Sequence, residues 1–105
     1  MAKNMIADGT TIEFTATKDH KSGDLVELAN MIAIAHENVK AGEIGVGHTV
    51  GVWSLPKAAS VAIEQGESVY IKNGVVSKDN TGTAAGKAWV KAEASETSID
   101  VKING

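Results

Sequence analysis

The sequence predicts a mainly β domain, on two features of its composition and one of its patterning. The 105-residue chain is 43% hydrophobic and 22% charged, which is enough apolar material for one small core. Its apolar residues include 11 Val and 9 Ile but only 3 Leu, and β-branched side chains favour pleated sheets. Most segments also alternate with a period of two. We therefore predict a compact small β-barrel or sandwich of about eight short strands with one short helix.

Three short strands are predicted in the first third of the chain. Residues 10–16 alternate, so that Ile12, Phe14 and Ala16 share one face. A polar turn separates this strand from a second at residues 25–28 and a third at residues 31–35. Because the third strand is apolar on both faces, we expect it to be central in its sheet.

A long, glycine-rich strand is predicted over residues 43–53. Ile44, Val46 and His48 share one face of it, with glycines opposite, and such glycines often mark a bend. Residues 42–49 also match a phosphate-binding loop, except that His48 replaces the lysine. That loop must open a helix, whereas the residues after Thr49 continue a strand pattern. We therefore interpret the segment as a bent strand.

The one predicted helix covers residues 57–65. Pro56 suits the start of a helix, the segment is alanine-rich, and Gly66 suits its C-terminal stop.

Two hairpins are predicted after this helix. Asn73-Gly74, a strong two-residue hairpin signal, joins the alternating residues 67–72 to residues 75–77. Beyond a polar loop, residues 84–92 and 97–103 form a final hairpin. Its last strand turns inward the residues Ile99, Val101 and Ile103.

No linker or shift in composition divides the chain. We expect residues 9–105 to form a single β-rich domain, and residues 1–8 to form an N-terminal arm or edge strand. The N-terminus has no signal-peptide core, and no run approaches the ~18 apolar residues of a membrane span. Synthesis in a host cytoplasm and no contact with a membrane are therefore expected.

The composition excludes several kinds of chemistry. The chain has no cysteine, which rules out disulfides, thiolate metal sites and cysteine nucleophiles. His20, His36 and His48 lack the spacing of a metal site, and no serine lies in a nucleophile motif. Paired carboxylates stay open, although nothing marks out a pair. We predict no catalytic residue, no cofactor and no metal. A net charge of −3 and basic residues that are all lysine also argue against a nucleic-acid partner.

Trp89 is the candidate contact residue within the domain. It falls opposite the apolar face of its predicted strand, between Lys87 and Lys91. Large aromatic side chains are enriched in interface cores, so these three residues predict a capsid or self-association contact. The alternative is a strand buried on both sides, with the lysine stems covering the ring.

The order of short motifs along the chain resembles a family of small tailed-phage proteins. The motifs are SGDLV at residues 22–26, GVWSLPK at 51–57, QGESVY at 65–70 and VKING at 101–105. Some members of that family are described as predicted recombinases of the RecA/RadA type, and others as capsid cement or decoration proteins. The resemblance covers nearly the whole chain and brings no catalytic motif with it. A recombinase needs an intact phosphate-binding loop and a DNA-binding surface, and both are missing.

The resemblance therefore implies a non-enzymatic decoration protein. Its expected place is the exterior of the virion head, where it would bridge copies of the major capsid protein, as a homo-oligomer for which a trimer is favoured. The N-terminal arm could add a strand to a capsid sheet edge, and its candidate contact residues are Ala2, Lys3, Asn4, Met5 and Ile6. Two alternatives stay open: an accessory protein that binds nucleic acid, and a tail or connector component of the virion.

Overall fold

The computed structural model describes residues 9–105, which form nine β-strands. The strands are β1 (Thr11–Thr15), β2 (Leu25–Glu27), β3 (Ile32–Ala35), β4 (Ile44–His48), β5 (Val52–Pro56), β6 (Ser68–Lys72), β7 (Val75–Ser77), β8 (Thr83–Ala88) and β9 (Ser98–Ile103). They are arranged in two antiparallel sheets, which confirms the mainly β prediction. A bridge between Lys57 and Val76 links the two edges of the second sheet, but within residues 9–105 no continuous ladder closes a barrel.

The first sheet has the strand order β1-β4-β3-β2, so β3 is an interior strand as predicted. All four of its side chains are buried. Ile32 and Ile34 belong to the larger apolar cluster of the molecule. Ala33 and Ala35 belong to a smaller cluster that Phe14 of β1 also joins. The side chains on the two faces of β3 therefore pack in two different apolar clusters.

The second sheet has the strand order β5-β9-β8-β6-β7. The predicted Asn73-Gly74 hairpin joins β6 to β7, with φ values of 55° and 81°, as a type I′ turn requires. The predicted final hairpin pairs β8 with β9. Alternation in β9 directs Ile99, Val101 and Ile103 into the larger cluster.

The predicted long strand over residues 43–53 is wrong in extent, because it is two strands in two sheets. β4 ends at His48, and β5 begins at Val52 as an edge strand of the second sheet. The chain bends between them at Gly51, whose φ of +109° suits glycine. The expected bend therefore exists, but it is sharp enough to move the chain from one sheet to the other.

The predicted helix over residues 57–65 is also wrong, because this segment is extended and turned. Its amides bond to the segment that connects β8 with β9: Lys57 N donates to Thr97 O at 2.9 Å, and Ile63 N donates to Ala92 O at 2.9 Å. Ser60 has a φ of 63°, outside the helical region. Pro56 ends β5 at a sheet edge, where proline is tolerated. Alanine's helix propensity is a weak preference that these tertiary hydrogen bonds override.

Candidate functional site

The predicted contact residues fall into two groups. Ala2, Lys3, Asn4, Met5 and Ile6 lie outside the described residues. Lys87, Trp89 and Lys91 lie at and just beyond the end of β8. No helix in the described part of the chain is long and apolar enough to cross a membrane.

Trp89 lies on the outer side of the second sheet. Its amide donates to Asp100 O at 2.9 Å, which continues the β8–β9 pairing by one residue. The preceding residue, Ala88, is buried in the larger cluster. Because successive side chains alternate across a strand, the indole points away from that cluster, and 51% of Trp89 is exposed. The alternative of a ring buried on both sides does not hold for the isolated chain.

Two of the three predicted residues share one surface. Lys87 pairs with Lys102 on β9, and both lie beside Trp89. Val90 follows Trp89 and is 42% exposed. A shallow groove of about 440 Å³ is lined by Gln65, Gly66, Lys87, Ala88, Trp89, Val90 and Lys102. We call Lys87, Trp89, Val90 and Lys102 the Trp89 face.

Lys91 is not part of this groove. Its Nζ lies 3.4 Å from Glu93 Oε1, and both side chains are more than half exposed. Such a surface ion pair contributes little to stability. The structure therefore brings Lys87 and Trp89 together and places Lys91 beyond them.

A second exposed apolar surface lies on β4, outside the predicted contact residues. The glycines of β4 face the smaller cluster: a Cβ on Gly47 would lie 2.7 Å from Ala33 Cβ. Ile44, Val46 and His48 therefore lie on the opposite face, where Ile44 is 71% exposed. We call these three residues the β4 strip. The sequence feature that could have indicated this surface is the alternation of apolar residues with glycine. When the glycine face of such a strand packs on the core, the apolar face is exposed.

One end of the β4 strip carries a cluster of three rings. His36 Nδ1 and His48 Nε2 are 2.9 Å apart in a hydrogen bond, so one nitrogen carries the proton and the other accepts it. The ring of His48 also stacks on Trp53, with centroids 5.3 Å apart and an interplanar angle of 29°. This arrangement fixes the His48 ring beside Val46 and Ile44. His48 is thus a half-exposed side chain whose ring is held in place by His36 and Trp53.

The structure shows no metal-binding cluster within residues 9–105. No three His, Asp or Glu side chains among them converge on a point that could hold a metal ion. Hydrogen bonds from the Thr81 side chain and amide lower the pKa of Asp79. These bonds lie within one polar turn after β7, so they stabilise that turn.

A comparison with protein families bears on the biological role of the chain. A family model described as phage cement protein matches residues 6–103. The chain belongs to the phage cement protein family. It is therefore a structural, capsid-associated protein of a bacteriophage virion, as the motif resemblance implied. No curated protein and no solved structure gives a significant match.

Proposed function

We propose that this cement protein binds the outer surface of the assembled phage head and stabilises it by bridging copies of the major capsid protein. The proposal rests above all on the phage cement protein family, and the half-exposed Trp89 beside two lysines gives the protein a surface for contact with the shell or with a second copy. A contact surface formed by strands loses little conformational entropy when it binds. The role is stoichiometric and non-catalytic.

Stabilisation follows from mass action. A protein that binds only the assembled shell lowers the free energy of that state, by about 2.7 kcal/mol per site at a free concentration 100-fold above Kd. Copies that bridge subunits oppose the separation of those subunits directly. If the protein binds as a homo-oligomer such as a trimer, several linked contacts add avidity without any new kind of contact.

The N-terminal arm is the proposed capsid contact. Its residues, Ala2 to Ile6, include both apolar and polar side chains, which suits addition of a strand to an exposed sheet edge. The arm joins the domain at Gly9, next to the edge strand β1. The globular domain would then lie on the shell while the arm extends along it.

Binding of the purified protein to emptied and expanded capsids tests this function. Deletion of residues 1–5 should abolish decoration and leave thermal unfolding of the domain unchanged. Trp89→Ala should weaken decoration, while Lys78→Ala, in an exposed loop, serves as the control. Undiminished binding after the deletion would remove the arm from the mechanism, and absence of binding by the intact protein would refute the proposed function.

A further inference from the structure

The Trp89 face and the β4 strip differ in charge. On the Trp89 face, Lys87 and Lys102 lie side by side across the β8–β9 pair, and Asp100 lies opposite Trp89, so the two lysines outnumber the one acid. Lys87 Nζ donates to Ser68 Oγ at 2.6 Å, and neither lysine forms an ion pair within residues 9–105. This face is therefore apolar at its centre and carries a net positive charge.

The β4 strip has an acidic neighbour. Glu13 of β1 lies directly opposite Val46, so their side chains share one face of the sheet. Glu13 is exposed, and its neighbours on that face of β1 are Thr11 and Thr15. No ion pair neutralises Glu13 in the described part of the chain. The strip is therefore apolar with a negative charge beside it.

We propose that the Trp89 face of one copy docks on the β4 strip of a second copy. In this contact Trp89 and Val90 would cover Ile44 and Val46, and Lys87 or Lys102 would approach Glu13. Such complementarity favours a head-to-tail contact between two different surfaces over a two-fold contact in which the same surface of both copies meets. A contact between two β4 strips would bring the Glu13 side chains of both copies together. A contact between two Trp89 faces would bring lysines of both copies together.

The geometry has a consequence for assembly. In a dimer joined through two different surfaces, one surface of each kind stays exposed. Further copies can therefore bind, and a ring forms when the rotation between successive copies closes. In a ring of three copies, every β4 strip would contact the Trp89 face of a neighbouring copy. This inference rests on the proposed function and specifies how its homo-oligomer forms.

Cross-linking of single-cysteine variants tests the arrangement, because the native chain contains no cysteine. Ile44→Cys and Val90→Cys replace exposed side chains, so both variants should fold, which circular dichroism verifies. Each is treated with a short bismaleimide alone, and the two are then treated as a mixture. A head-to-tail contact predicts cross-linked dimers in the mixture and none in either variant alone. Lys78→Cys replaces Val90→Cys as the control and should give no product with Ile44→Cys.

Reversal of charge gives an independent measurement by analytical ultracentrifugation. Glu13→Lys or Lys87→Glu alone should weaken self-association by about five- to tenfold, since each turns an attraction into a repulsion. The variant with both changes should recover most of the loss. Cross-linking within either single variant, no product in the mixture, or no recovery in the double variant would overturn the inference.

These measurements need no capsid, so the two proposals fail separately. Decoration by a protein that does not cross-link head to tail would leave the proposed function standing and refute the contact. Cross-linked rings that do not bind capsids would refute the proposed function alone.

Discussion

Two glycines determine which face of β4 points outward. Ideal Cβ atoms would lie 2.7 Å from Ala33 Cβ at Gly47 and 3.0 Å from Phe14 Cζ at Gly45. Neither glycine has a positive φ, so the requirement is for space and not for backbone freedom. The close approach of β4 to the smaller cluster therefore depends on hydrogen in place of a methyl group. Exposure of Ile44 and Val46 is the consequence.

Gly47→Ala should destabilise the fold by about 1–3 kcal/mol, because the new methyl group overpacks against Ala33. Urea unfolding followed by circular dichroism measures this loss. Thr11→Ala, opposite His48 on the exposed edge strand, should change stability by less than about 0.5 kcal/mol. An unchanged midpoint for Gly47→Ala would show that β4 can move away from Ala33.

At the scale of elements, the segment after β5 shows how an alanine-rich stretch is held in a non-helical shape. Lys57 is only 4% exposed, and its ammonium donates to Ala58 O at 2.8 Å and Val61 O at 2.5 Å. A buried charged group is stable only when it is well hydrogen-bonded, and these carbonyls meet that need. The segment is thus organised around a side chain that the sequence predicted would lie in a helix.

Lys57→Met should loosen this segment specifically. The variant keeps the apolar stem and removes the donor, which should cost about 1–3 kcal/mol because two carbonyls lose a charged partner. Hydrogen exchange at residues 58–63 should accelerate more than exchange in β9. Lys78→Met, which removes an exposed lysine, is the control and should leave both rates unchanged. Equal protection in both variants would mean that the backbone bonds alone hold the segment.

At the scale of the whole molecule, the C-terminus ties the two sheets together through Asn104. Its Oδ1 accepts from Ile32 N at 3.1 Å, and its Nδ2 donates to Ile32 O at 2.8 Å and Thr49 O at 2.9 Å. One amide thus joins the end of β9 in the second sheet to β3 and to the turn after β4. The residue has a φ of 56°, a conformation that asparagine tolerates better than most residues.

Asn104→Gly should lower the free energy of unfolding by about 2–3 kcal/mol, because it preserves the backbone conformation and removes three hydrogen bonds. Asn104→Asp keeps the acceptor for Ile32 N but sets a carboxylate oxygen against the carbonyl oxygens of Ile32 and Thr49, so at neutral pH it should be at least as destabilising as Asn104→Gly. Tryptophan fluorescence and circular dichroism should report the same midpoint if the sheets unfold together. Separate midpoints in the native protein would contradict a single cooperative unit.

Much of the fold was predictable from the sequence because local pattern specifies local structure. Alternation in β1, β6 and β9, the Asn73-Gly74 turn and the two-sided apolar character of β3 all predicted what the structure contains. Trp89 was also identified correctly as lying opposite the apolar face of its strand. In each case the relevant neighbours are one or two residues away, so a period of two or a turn dipeptide carries the information.

Packing between segments far apart in the chain determines where the chain passes from one sheet to the other, why residues 57–65 are not helical, and why the β4 strip faces outward. Each of these depends on partners far along the chain: Thr97 and Ala92 for the false helix, and Ala33 and Phe14 for the strip. A strand in which glycine alternates with apolar residues has the same sequence pattern in both cases: when its apolar side chains face the core, and when its glycine backbone does. Local sequence patterns thus specify a small, cysteine-free β-rich fold with phage cement motifs, and packing between distant segments selects the surfaces that this fold presents.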